Sequence, residues 1–329
     1  MSKDTAQALL ARVDELIGAD LQTADDIFNQ ELTSWHPYIT DVLQHITRFR
    51  GKRLRPMLLM LTGSACGGIR PEHHTLAAVV EMIHTATLVH DDVLDEADIR
   101  RHVATVNARW NNETSVLFGD FLFTHAFHLA ATLESAQACR LIGRATNLVC
   151  EGELAQIHER GNLNLTEEQY LQIIEGKTAE LCAVSCRLGA IYSDASEEVI
   201  EAMSQYGRTL GIAFQIADDL LDLCGNERQA GKTLGSDLVK QKLTLPLIRL
   251  LDQAEPTDAQ RVRELLASPE TTDVTALLSV LEQYDAIEFS RQRALEFAGQ
   301  ARVAISCLSD SPAYRVLDDL TEFAVRRSF

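Results

Sequence analysis

The sequence predicts an all-α protein of ten or more helices, and three observations carry that reading. Apolar residues recur at intervals of three and four almost from end to end. Glycine and proline are sparse, 17 and 7 in 329 residues, whereas an all-β chain would need turn residues every ~8–12 positions. Several periodic segments are apolar nearly all round, the pattern of helices buried by other helices.

In chain order, Leu9, Leu10, Val13, Leu16 and Ile17 mark the first helix. A break at Gly67-Gly68 precedes Pro71, a residue suited to the first position of a helix, and the following face is Leu76, Val79, Val80, Ile83 and Thr87. Leu141, Ala145, Leu148 and Val149, continued by Leu154 and Ile157, form another helix that ends near Gly161-Asn162. After a turn at Asp194-Ala195-Ser196, a long helix carries Met203, Tyr206, Leu210, Phe214, Ile216, Ala217 and Leu220. Further breaks fall at Gly225-Asn226 and Pro256-Thr257. None is long enough for a linker, and there is no internal repeat, so residues 1–329 are expected to form one domain.

Composition narrows the function. A net charge of -18 disfavours polyanions, so no nucleic-acid partner is expected. A small anionic substrate remains compatible, because local cations and metal ions can outweigh the global field. The seven cysteines are odd in number and include no CxxC, which argues against a disulfide framework. Cys182 and Cys186, one helical turn apart, read as buried free thiols. No basic, apolar leader opens the chain and no run of ~18 apolar residues occurs, so the expected setting is cytoplasmic without a transmembrane segment.

Chemistry concentrates in two acidic clusters, Asp91-Asp92-Val93-Leu94-Asp95 and Asp218-Asp219-Leu220-Leu221-Asp222. Both spell DDxxD, and in each the first and last Asp share a helical face. One such match is expected by chance in roughly one chain in ten of this length, but two are far rarer. Asp318-Asp319-Leu320-Thr321-Glu322 has the look of an accident on a solvated face. The first two clusters instead follow apolar turns: Met82, Ile83, Ala86, Leu88 and Val89 before Asp91, and Phe214, Ile216 and Ala217 before Asp218. Neither preceding turn offers a Lys or Arg. Partly buried like charges are costly without a cation, and oxygen-only ligands suit Mg²⁺ shared with phosphate oxygens. A zinc site would want His or Cys.

Basic residues concentrate elsewhere. Arg50, Lys52, Arg53 and Arg55 fall within seven positions, and Arg100-Arg101 follows the first acidic cluster. Gly176-Lys177-Thr178 and Gly231-Lys232-Thr233 repeat one element, and Lys240 and Lys242 precede Leu243-Thr244. Neither Gly-Lys-Thr is a nucleotide-binding P-loop, because the required upstream glycine is Leu171 or Asn226. Arg forks and Lys point charges suit phosphate oxygens. His84, seven residues before Asp91, and Gln215, three before Asp218, share the faces of the two clusters.

Taken together, Gly51 to Pro56, His84 to Arg101, Gly119-Asp120, Gly176 to Thr178, Gly211 to Asp222 and Gly231 to Pro246 resemble the trans-polyprenyl diphosphate synthases, most closely the bacterial long-chain, octaprenyl-type members. The resemblance spans about residue 10 to the end. It implies helices around a deep central cavity, a homodimer, and a prenyltransferase that adds isopentenyl diphosphate to an allylic diphosphate, farnesyl diphosphate as starter. It implies three Mg²⁺ held by Asp91, Asp95, Asp218 and Asp222, and catalysis by Asp91, Asp92, Asp95, Lys177, Asp218 and Asp219. Arg100, Lys177, Thr178, Gln215 and Lys232 would hold the allylic diphosphate, and Lys52, Arg55, His84 and Arg101 isopentenyl diphosphate. Early stops in this family come from bulky residues four and five positions before the first Asp. Here those are Thr87 and Ala86, so a C40 product is expected, for a quinone side chain, with Phe123 and Phe127 as a deeper floor. Release of so apolar a product implies transient membrane contact. Departures fall at His102, at Asn111 to Thr114, at Ser236 and at Gln241, where the family commonly has Gly or Asp. A terpene cyclase would have no use for the Lys52/Arg55 pocket, and a non-catalytic partner subunit would have eroded acidic motifs.

Overall fold

A computed structural model of the protein describes residues 3–47, 51, 53–224, 235–266 and 274–326. The expected helical bundle is present. The helices are α1 (Lys3–Glu31), α2 (Pro37–Ile46), α3 (Leu54–Cys66), α4 (Pro71–Leu94), α5 (Val106–Arg109), α6 (Asn112–Ala131), α7 (Gln137–His158), α8 (Glu167–Ile174), α9 (Glu180–Ile191) and α10 (Glu197–Cys224). They continue with α11 (Ser236–Val239), α12 (Leu245–Gln253), α13 (Pro256–Leu266), α14 (Val274–Gln283), α15 (Ala286–Ala304) and α16 (Pro312–Arg326). Pro71 and Pro256 each open a helix, as their missing N–H and fixed φ favour. The Gly225-Asn226 break lies outside the described residues.

Helices α4 and α10 are the central members. Eleven side chains of α4, from His73 to Asp92, are buried. Helix α10 runs through two apolar cores. Its first half packs Met203, Tyr206 and Leu210 with α3, α4 and α9. Its second half packs Ile212, Ile216 and Leu220 with α8, α12 and α15. Close approach depends on glycine at two places that matter below. A Cβ on Gly152 of α7 would stand 2.5 Å from the Lys177 nitrogen, and one on Gly211 of α10 would stand 2.6 Å from the Ala179 Cα. The segment between α8 and α9, Glu175–Ala179, is a π-helical turn. It is thus held tightly against α7 on one side and α10 on the other.

One strand pair was not legible beforehand: β1 (Ile99–Arg100) and β2 (Val103–Ala104), antiparallel. Its two turn residues, Arg101 and His102, have φ of 51° and 66°. Positive φ at both central positions is the hairpin turn that matches strand twist. It also explains why glycine suits position 102 better than His. Gln241, the other departure of this kind, has φ 55°. Asn111 caps α6, its Oδ1 accepting from the Thr114 N–H at 2.7 Å. Cys182 and Cys186 are buried free thiols, as expected. The 318–322 motif is a charged surface, with Asp318 paired to Arg302, Asp319 to Arg12 and Glu322 to Arg326. Among the described residues, no helix is long and apolar enough to cross a membrane.

Candidate active site

Both acidic clusters lie at the C-terminal ends of their helices, α4 and α10, and neither last turn carries a basic residue. A helix C-terminus already bears partial negative charge. Carboxylates there need cations from elsewhere, and the fold brings them from far along the chain.

Asp95 is the most heavily paired. Lys240 Nζ lies 2.9 Å from Oδ2, and Lys242 Nζ and Arg160 Nη2 lie 3.3 and 3.2 Å from Oδ1. Burial alone would push its carboxyl up, but Lys242, Lys240 and Lys177 outweigh it and hold it below the ordinary range. Asp91 shares that face but has less help. Burial, with Glu153 and Asp95 adding like charge, pushes it up to about 6 against the pull of Lys177. Lys177, carried on the π-helical turn, sits 2.5 Å from Glu153 Oε2 and donates to Gln156 Oε1 at 2.7 Å. Desolvation favours its neutral form, but Asp91 and Glu153 prevail and raise its pKa.

The middle aspartates behave differently. Asp92 is buried and turned to the hairpin, accepting from Arg100 Nε at 2.7 Å. Asp219 accepts from Tyr170 Oη and from Gln215 Nε2, each at 2.7 Å, and Gln215 Oε1 in turn accepts from Thr178 Oγ1 at 2.8 Å. Burial, followed by the charge of Asp237, pushes Asp219 up to about 8, while the two hydrogen bonds restrain it. Asp222 is buried and its Oδ2 accepts from the Asp237 backbone N–H at 3.0 Å. Asp218 is partly exposed on the same stretch. A cavity of about 80 Å³ lies between these groups, lined by Gln156, Lys177, Gln215, Asp219 and Lys242 among others.

A second, smaller cavity of about 30 Å³ lies against α4, lined by Asp25, Arg53, Glu81, Asp92, Arg100 and Arg101 among others. A Cβ at Gly51 would stand 2.4 Å from Arg101 Nη1, so glycine there admits the guanidinium. Arg53 opens α3 in a left-handed conformation and pairs with the buried Asp25 of α1. His84 faces Arg55, Arg101 and Arg100; burial first, then those three charges, hold its imidazole well below its ordinary pKa and therefore neutral. Glu81, one turn earlier, is raised by burial against the pull of Arg55 and Arg101. The Nε of Arg55 is buried without a hydrogen-bond partner. Such a buried donor is open to an added acceptor.

The fold therefore gathers Asp91, Asp95, Lys177, Thr178 and Gln215 near the first cavity, while Arg55, Arg101 and Arg100 bear on His84, two turns before Asp91 on the same face of α4. Lys52 and Lys232 lie outside the described residues. Thr87 Oγ1 caps the His84 carbonyl at 2.8 Å, and Ala86 is fully buried. Phe123 lies against His90, next to Asp91, with ring centroids 6.0 Å apart. Phe127 points to α7 at Gly143. Sequence reasoning missed Glu153, Gln156, Arg160 and Tyr170. The i,i+3 pair Glu153-Gln156 on an apolar helix was the one visible hint.

The residues fit a hard divalent ion. Among the described residues, no three acidic, His or Cys side chains converge as a ligand set. Asp91 and Asp95, oxygen donors that act on one another on one face of α4, are the ligand type Mg²⁺ takes when water and phosphate oxygens complete its shell. A cation beside Asp91 would oppose the burial that raises its carboxyl.

A family model described as polyprenyl synthetase matches residues 36–284. Octaprenyl diphosphate synthase of Escherichia coli (strain K12) is 36% identical over 319 residues, which is 97% of this chain and 99% of that one. Among solved structures, a decaprenyl diphosphate synthase from Rhodobacter capsulatus matches with a TM-score of 0.92 at 35% identity, covering 97% and 99% of the two chains. A polyprenyl synthase from Caulobacter crescentus CB15, complexed with calcium and isoprenyl diphosphate, matches with a TM-score of 0.90 at 33% identity over 96% and 97%. These matches make the protein a prenyltransferase. The chain belongs to the polyprenyl synthetase family.

Proposed function

We propose that the enzyme extends an allylic diphosphate, farnesyl diphosphate as starter, with isopentenyl diphosphate units in trans to a C40 polyprenyl diphosphate that becomes a quinone side chain. The observation that carries this reading is two groups of cations gathered along α4. Lys177 bears on Asp91, and Lys240 and Lys242 pair with Asp95, while Arg55 and Arg101 bear on neutral His84 two turns earlier. Two diphosphates can thus be met by separate cation groups, and Arg100, paired to Asp92, bears on both Asp91 and His84.

In this reading Asp91, Asp95, Asp218 and Asp222 hold three Mg²⁺ per site, which supply charge neutralisation to the leaving diphosphate when bound. Lys177, Thr178, Gln215, Arg100 and Lys232 orient that diphosphate, so that its bond to the allylic carbon lies along the approach of the second substrate. Lys52, Arg55, His84 and Arg101 fix isopentenyl diphosphate. A neutral His84 donates one N–H without adding charge beside three arginines. Asp92 and Asp219, expected as catalytic carboxylates, act through Arg100 and Gln215 as positioning residues. The proton lost after bond formation goes to the departing diphosphate.

The small residues Ala86 and Thr87 support a long product, with Phe123 and Phe127 as the floor. On α6, Val116 and Leu117 are 45% and 69% exposed, an apolar face suited to the pairing of two copies in a homodimer. The test is incubation with farnesyl diphosphate, labelled isopentenyl diphosphate and Mg²⁺, the dephosphorylated products sized by mass spectrometry. Incorporation that ends near C40 and is abolished by EDTA is expected. A C15 or C20 end product, or turnover of farnesyl diphosphate without isopentenyl diphosphate, would overturn the reading.

A further inference from the structure

The turn after α7 and the turn before α12 form one unit. The Gly161 N–H donates to the Gln241 carbonyl at 2.9 Å, and the Lys242 N–H to the Asp237 carbonyl at 2.8 Å. Left-handed backbone at both Gly161 (φ 75°) and Gln241 (φ 55°) makes the close approach possible. A Cβ on Gly161 would already stand 3.2 Å from Gln241 Oε1. This unit delivers Arg160 from one side and Lys240 and Lys242 from the other onto a single carboxylate, Asp95. The Arg160 Nε is moreover buried without a hydrogen-bond partner, so the guanidinium keeps unused donor capacity.

We propose that Arg160 and Lys240 are positioning residues that hold Asp95 against divalent cations until a diphosphate arrives to accept their charge. A divalent ion that uses Asp95 must displace or share it with these cations, and each unit charge within ~3 Å opposes it. Phosphate oxygens offer a second set of acceptors for the same guanidinium and ammonium groups. Diphosphate binding then releases the carboxylate to the ion, and the ion in turn tightens diphosphate by the same factor. Metal binding is thereby coupled to substrate, and the acidic centre does not fill with ions alone. This inference rests on the metal-binding reading of Asp95 given above.

Equilibrium Mn²⁺ binding, followed by electron paramagnetic resonance on the full-length protein, tests it with and without inorganic pyrophosphate. Without pyrophosphate, Arg160→Gln and Lys240→Gln are each expected to tighten Mn²⁺ binding by roughly three- to tenfold, allowing for solvent screening. Lys240→Arg, which keeps the charge, is expected to retain wild-type affinity. Pyrophosphate is expected to tighten Mn²⁺ more in the wild type than in either Gln variant. A merely structural role would weaken binding or leave it unchanged, and that result in both Gln variants overturns the inference. Asp95→Asn separates the two readings. If it leaves Mn²⁺ binding intact, the metal reading itself fails; if it abolishes binding while the Gln variants match the wild type, the inference alone fails.

Discussion

Replacing Tyr170 with Phe removes a hydroxyl that donates to Asp219 Oδ2 at 2.7 Å, in a site where Tyr170 is 4% and Asp219 6% exposed. The rest of the network stays, since Gln215 still donates to Oδ1. The cost depends on the charge of the acceptor. A hydrogen bond between neutral groups contributes about 1 kcal/mol, and one to a charged group about 1.5–3 kcal/mol. Burial, then Asp237, raises Asp219 to about 8. At pH 6 the carboxyl is protonated and Tyr170→Phe is expected to cost about 1 kcal/mol; at pH 9 it is ionised and the cost rises to about 2–3 kcal/mol. The raised folded pKa also fixes the sign of the pH dependence. From about pH 4 to 8 the native state keeps a proton that the unfolded state has released. This group therefore lowers stability as pH rises through that window, by up to about 1.4 kcal/mol per unit. Urea unfolding followed by circular dichroism, at pH 6 and pH 9, on wild type, Tyr170→Phe, Asp219→Asn and the double variant, measures both effects. A Tyr170→Phe cost equal at the two pH values, or a coupling energy near zero in the double-mutant cycle, would refute the reasoning.

Three further outcomes are expected. Asp25→Asn breaks the buried pair that sets Arg53 at the start of α3; it should cost about 1–3 kcal/mol in urea unfolding and raise KM for isopentenyl diphosphate with little change in kcat. His102→Gly relieves a φ of 66° in the hairpin turn and should stabilise by about 1 kcal/mol, read as a higher urea midpoint. Asp91, pushed up to about 6 by burial, should be protonated below that pH, so divalent-ion affinity should fall by about tenfold per unit below pH 6. A flat affinity between pH 5 and pH 7 would contradict that.

The helices were legible because their apolar faces repeat locally, and Pro71 and Pro256 announced their starts. The two-residue strands of the hairpin were not legible, because Arg101 and His102 are not the residues that usually mark a turn with positive φ. Asp91, Asp95 and Lys177 could be singled out from their motifs. Their compensation could not. The preceding turn of each acidic helix holds no cation, which is a local fact, but Arg160 reaches Asp95 across 65 positions and Lys242 across 147. Tyr170 was invisible for the same reason: an isolated aromatic on an amphipathic helix reads as core until α10 is seen beside it. The π-helical turn likewise needs the glycines at 152 and 211 on two other helices. The split within each DDxxD, with outer aspartates on one face and the middle one bonded to Arg100 or to Tyr170, follows helical geometry. Its partners follow only from the fold.

The most direct test of the account is a crystal structure with Mg²⁺, an uncleavable allylic thiolodiphosphate and isopentenyl diphosphate. Mg²⁺ is expected on Asp91 and Asp95 and on Asp218, the allylic diphosphate on Lys177, and the second diphosphate against Arg55 and Arg101. The second diphosphate bound without contact to Arg55 and Arg101, or Mg²⁺ bound without contact to Asp91 and Asp95, would contradict it.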